Sequence, residues 1–171
     1  FDDKPTVLEK GQPIVVEGLH ALNDSLTYML PRYEKVKISL GVLTQIRIND
    51  HNRISTSDTR IIRRMVRDQQ FRDRGPMATM DIWADVRRGE EKNIYPYQED
   101  ADTIFNTALP YELSVLKPYA EPLLESIDKG SVHYAEARRL LRFLKPFKGI
   151  DSSVVPPNSL LREFIGPDRK K

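Results

Sequence analysis

The stretch that most constrains this chain is residues 53–74, RISTSDTRIIRRMVRDQQFRDR. Seven arginines stand there against three aspartates, a local charge of +4 in a chain whose formal net charge is +2. At ~100° per residue on a helix, Ile61, Ile62, Met65 and Val66 share one side. Arg60, Arg63, Arg64 and Arg67 fall together on the opposite side. Ser57 ahead of Asp58 predicts an N-cap followed by an acid in the first turn. One side must dock on a core while the other presents guanidinium groups. Their forked donors suit bidentate binding of phosphate or carboxylate better than lysine does, and the stretch contains no lysine. Three aspartates cannot neutralise seven arginines, so the counter-charge must come from elsewhere. A nucleotide phosphate, a nucleic-acid backbone and an acidic segment of the same chain all qualify. Residues 89–128, with nine acids against two lysines, are the internal candidate.

At 171 residues the length suits one domain with a proper core. An apolar fraction of 39% beside 30% charged residues is ordinary for a globular protein. Positive charge is local rather than general, which argues against a broad nucleic-acid binder. Cysteine is absent, so disulfides and thiolate metal sites are excluded, and a reducing cytoplasm fits. No apolar run approaches the ~18 residues of a membrane span, and the charged opening FDDK is no signal peptide. A cytoplasmic protein with no membrane partner is the expectation. The chain opens on Phe1 rather than Met, which predicts that it has been cut or trimmed.

In chain order, residues 13–17 (PIVVE) read as a buried parallel strand delivering Glu17 to its C-terminal end, where open α/β sheets hold ligands. Residues 23–30 predict a short helix stopped by Pro31, and residues 36–43 (VKISLGVL) a second strand. Residues 44–52 read as a connector into the arginine helix. Gly75-Pro76 ends that helix and opens another, with Met77, Met80, Ile82, Trp83 and Val86 on its apolar side. Residues 87–92 predict a charged turn, 93–97 an extended piece, and 101–106 (ADTIFN) a third strand. Pro110 opens a helix burying Leu113 and Leu116, which Pro118 should kink or divide. A further helix after Gly130-Ser131 carries Ala137, Leu140, Leu141 and Leu144 as its stripe. Residues 152–158 read as a linker, and Leu160, Leu161, Phe164 and Ile165 as a last amphipathic turn before a frayed PDRKK tail.

The strings EGLHALN, DHNRIS, DTRIIRR, RRGEEKNI, NTALPYEL and PPNSLLREFIG stand in this order along the chain. Together they resemble the uridine kinase and phosphoribulokinase branch of the P-loop kinases. The nearest likeness is to the bacterial nucleoside kinase domain that follows a threonyl-tRNA-synthetase-like region. The likeness runs from about residue 13 to residue 166 and implies an α/β fold: an incomplete P-loop kinase with a parallel sheet of about three strands flanked by helices and an arginine-rich lid helix. Residues 1–150 would form the partial kinase domain, with the lid over about 53–92. Residues 151–171 would form a linker, a short amphipathic helix and a basic tail. One family feature is missing: no GxxxxGK[ST] string, whose amides and lysine cradle nucleotide phosphates, occurs in these residues.

The resemblance also implies roles. Glu17 falls where the family places an acid near magnesium, and His20 where it lines the acceptor pocket. Arg60 resembles the acceptor-contacting arginine, Arg63 and Arg67 the phosphate-facing catalytic ones, and Arg64 a further substrate contact. Trp83, Tyr95 and Tyr97 are read as core packing in preference to base stacking. The implied activity is transfer of the γ-phosphoryl group of ATP to a nucleoside hydroxyl, with ATP and Mg²⁺ as the intact protein's cofactors and neither held tightly by this chain. A phosphoribulokinase-like sugar kinase is the alternative within the branch. A non-catalytic RNA-binding or regulatory module is the alternative from another class. In the family the P-loop strand lies between the strands at 13–17 and 36–43. Without it, those two strands should close on each other, or their open edges should pair in a homodimer.

Overall fold

The computed structural model describes residues 7–44, 47–49 and 52–167. Its organising element is α1 (Thr56–Phe71), placed as the charge pattern predicts but buried on more than its apolar side. Ile61, Ile62, Met65 and Val66 are all within 2% of complete burial, worth about 1.5–3 kcal/mol each. The cap differs from expectation. Ser55, not Ser57, is the N-cap, its side chain accepting from the Asp58 amide. Three hydroxyl residues in a row offer the same chemistry, and the helix begins at the first. The helix closes after Phe71 with the amides of Arg72 and Arg74 both donating to the Asp68 carbonyl, which needs Asp73 in the left-handed region at φ 47°.

Two short helices follow. Pro76 starts α2 (Pro76–Asp81) behind the Gly75 cap, and α3 (Trp83–Asn93) runs straight through the segment expected to be a charged turn. Those charges pair along the helix, Arg88 with Asp85 and Arg87 with Glu91, so residues 87–92 are helical because their side chains support one another. Residues 93–97, expected to be extended, instead close α3 at Asn93 and run into α4 (Tyr95–Gln98). The remaining helices are α5 (Glu112–Glu125), α6 (Tyr134–Leu144) and α7 (Arg162–Ile165). Against α1 pack α2, α5 and α7, and α6 lies on α5. Leu116, Leu124, Leu140, Leu144 and Leu161 complete the core, which Val155, Phe164 and Ile165 extend into the residues after 150.

Pro118 neither divides nor stops α5. A proline at that position leaves the Ser114 carbonyl without its partner four residues on, and the Ile150 amide donates to that carbonyl at 3.0 Å. The Lys117 ammonium reaches the Phe147 carbonyl at 2.8 Å, and Gly149 lies so close that a Cβ there would sit 3.3 Å from Pro118 Cγ. The loop after α6 thus completes the helix from outside.

Strands are few. β1 (Ile38–Gly41) and β4 (Thr103–Asn106), within the segments 36–43 and 101–106, pair in parallel with Leu40 opposite Phe105. Between them, β2 (Arg47–Asn49) and β3 (Asn52–Arg53) form a small antiparallel pair where a plain connector was expected. The molecule is therefore mixed α/β with a two-stranded parallel sheet among the described residues, and the parallel strand predicted over residues 13–17 is absent. Residues 13–17 carry no strand, and Val15 is 85% exposed. An apolar β-branched run becomes a strand only beside a neighbour that can take up its hydrogen bonds. Nor has this run closed on β1, whose only ladder partner among the described residues is β4. Leu40 and Phe105 are 68% and 62% exposed, so the sheet's apolar face lies open. The helix expected over 23–30 is a single 3-10 turn, Asp24–Leu26, capped by Asn23.

Candidate functional site

The arginines of α1 do not form a solvated face. Each meets an acid, and two of the acids, Glu90 and Glu112, come from the acidic stretch of residues 89–128. Arg60 donates through Nη1 to Glu90 Oε2 at 2.6 Å and to the Tyr95 hydroxyl at 3.1 Å, and through Nη2 to Glu90 Oε1. Burial works against its charge, but Glu90 and Tyr95 outweigh burial and raise the guanidinium above its ordinary range. Tyr95 is thus part of an ion-pair network, and Trp83 packs against the core.

Arg63 is the most committed of the four. It is 5% exposed, and its partner Glu112 is 2% exposed. Nε donates to Glu112 Oε2 at 2.9 Å, while Nη2 donates to that oxygen and to the Thr107 carbonyl, the latter at 2.9 Å. The Phe164 ring covers the guanidinium, its centroid 5.1 Å from Cζ. Burial pushes the Glu112 carboxyl above the usual glutamate range, against the opposing pull of Arg63. Its second oxygen, Oε1, is buried with no hydrogen-bond partner. Thr107 follows β4 directly, and its amide donates to Gly41 at the end of β1 at 2.8 Å, so Arg63 links α1 to the C-terminal end of the sheet.

Arg67 and Arg64 are held more loosely. Arg67 donates through Nη1 at 3.1 Å to Glu163, a half-exposed carboxylate on α7, and its Cζ lies 6.0 Å from the same Phe164 centroid. Arg64 Nε stands 3.3 Å from Asp68 Oδ2. Neither Nε makes a hydrogen bond, although both are buried. Asp68 itself is fully buried and shared with Arg72 at 3.0 Å and Thr79 at 3.3 Å. Burial lowers the Arg64 guanidinium from its ordinary range; Asp68 opposes this, while Arg67, Arg72 and Arg74 add to it. Four guanidiniums thus crowd the last turns of α1.

The other two predicted site residues lie apart. Glu17 and His20 are exposed, the histidine in a turn where its carbonyl accepts from the Asn23 amide. No hydrogen bond or ion pair among the described residues joins either to α1. Magnesium takes one or two carboxylates together with phosphate and water, and Glu17 is an exposed carboxylate. No group of three or more His, Cys, Asp or Glu side chains among the described residues could hold a metal ion. Glu112 and Phe164 are the site residues that the sequence reading did not single out. Both stand in strings that carry the family resemblance, but Arg63 and Glu112 lie 49 residues apart, and nothing local joins them.

No match was found when the chain was compared with protein-family models, with curated proteins and with solved structures. No helix among the described residues is long and apolar enough to cross a membrane.

Proposed function

We propose that this chain is part of an ATP-dependent nucleoside kinase of the uridine kinase kind, to which it contributes the arginine helix that meets the transferring phosphoryl group. The observation that carries the reading is Arg67. Among the described residues its buried Nε makes no hydrogen bond, and its outer nitrogen Nη1 is held only by the half-exposed Glu163. An arriving phosphate has only that weak surface pair to displace, and it gains a forked donor in return. Arg64, one turn back toward the helix start, adds a second guanidinium, its Nε 3.3 Å from the buried Asp68 carboxylate and without a hydrogen bond. Charge spreading over the transferred oxygens is what such donors stabilise in phosphoryl transfer. The six sequence strings support the nucleoside kinase branch. Within that branch, the sugar kinase alternative differs only in the acceptor.

The deciding experiment is ADP formation by the native protein with ATP and a panel of nucleosides. Nucleoside-dependent turnover is expected, and Arg67→Ala should lower kcat by ~10²-fold. Absence of nucleoside-dependent ADP formation would overturn the reading. Lacking the phosphate-cradling loop, this chain by itself should show no turnover. The crowding of Arg64, Arg67, Arg72 and Arg74 favours one rival reading, a non-catalytic RNA-binding module. Its affinity would fall steeply with salt and be indifferent to ATP.

A further inference from the structure

We propose that Glu112 is a positioning residue for the phosphate-facing Arg67, acting through Arg63 and the Phe164 ring; this rests on the reading of the site just given. Arg63 has little left to give a ligand. Its Nε and Nη2 are engaged by Glu112 and the Thr107 carbonyl, and it is covered by Phe164. What Arg63 does have is contact with a ring that a second guanidinium also faces. Phe164 lies 5.1 Å from Arg63 Cζ and 6.0 Å from Arg67 Cζ. Glu112 fixes the Arg63 guanidinium plane, that plane sets where the ring rests, and the ring limits the rotamers open to Arg67. Arg67 Nε is thereby kept buried, and the guanidinium is held through Nη1 against the half-exposed Glu163, the pair that an anion would displace. The anchor is attached to rigid structure at both ends. Glu112 is the first residue of α5, and Thr107 is tied to the end of β1. Without the ring, Arg67 would be a long side chain restrained by the surface pair with Glu163, and ordering such a chain at binding weakens affinity. The three-residue linkage lowers that cost before a ligand arrives.

This mechanism predicts coupling between two residues that the structure does not pair. The probe is inorganic tripolyphosphate, titrated calorimetrically into the full chain at ~0.1 M salt, where surface charges are partly screened. Glu112→Gln should weaken binding about tenfold, Arg67→Ala by at least as much, and the double variant no more than Arg67→Ala alone, since a positioning residue has nothing left to position. Phe164→Leu, which keeps apolar bulk but removes the ring, should show the same non-additivity and serves where Glu112→Gln fails to fold. Losses that add, or a folded Glu112→Gln that binds like the wild type, would overturn the positioning role alone. A wild type that does not bind tripolyphosphate, or an Arg67→Ala that binds as well as the wild type, would overturn the phosphate reading of the site and this inference with it.

Discussion

Replacing Arg63 with Met should expose the energetics of the buried pair most directly. Methionine keeps an unbranched apolar stem but removes the guanidinium that faces Phe164, and leaves the Glu112 carboxylate buried with no counter-charge. Breaking a buried ion pair from one side costs about 3–5 kcal/mol, against a stability of about 5–15 kcal/mol for a whole domain. For a chain of this size that is a fall in Tm of about 6–20 °C. The pH dependence separates this cause from a simple packing defect. Burial already holds the Glu112 carboxyl above its ordinary value, with Arg63 pulling the other way; without Arg63, burial acts unopposed and the value rises further. A raised folded-state pKa means that the native protein binds the proton more tightly than the unfolded chain. That contribution is fully present below the unfolded value of about 4.3 and is lost as pH rises through the folded value. The deficit of Arg63→Met should therefore be largest near neutrality and shrink toward about pH 5. Urea unfolding of both proteins across that range measures it. A deficit constant with pH, or no deficit at all, would refute the reasoning. Replacing both partners, as in Arg63→Met with Glu112→Leu, should recover most of the loss at neutral pH.

Three further outcomes are expected. Ser55→Ala should cost about 1 kcal/mol by thermal unfolding while Ser57→Ala costs little, because only the Ser55 side chain caps α1. Asp73→Gly should stabilise by about 0.5 kcal/mol, since residue 73 sits at φ 47° and glycine takes that conformation without the steric cost; an unchanged or lower Tm would contradict it. Sedimentation of this chain should show a homodimer formed over the open face of Leu40 and Phe105, with Leu40→Asp monomeric; a monomeric wild type would discard that interface.

The sequence made α1 legible because its information is local. A 3.6-residue apolar period, a hydroxyl-rich start and a Gly-Pro boundary all act within a few turns. The strands at 36–43 and 101–106 and the stripe of α6 were readable for the same reason, as was the acidic stretch as source of the counter-charge. What stayed hidden was pairing over distance. Which acid meets which arginine depends on how α3, α5 and α7 are laid against α1, and no spacing encodes that. Residues 13–17 look like a buried strand because strand propensity reports side-chain type, whereas a strand exists only with a neighbour. Residues 87–92 have the charge density of a turn, but the helix-forming character of Arg, Glu and Lys prevails. Of the candidate site, the four arginines were visible; their unequal availability was not.

The repair of α5 at Pro118 has a consequence for the time course of folding. The Ser114 carbonyl has no acceptor role inside its own helix and waits for an amide thirty-six residues further along, at Ile150. During synthesis α5 leaves the ribosome before residues 145–150 have emerged. Water must satisfy the Ser114 carbonyl until α6 has formed and folded back to bring those residues across it. Native α5 is thus a late product of the chain, and a truncation ending before Ile150 should leave it as the first helix to exchange its amide protons.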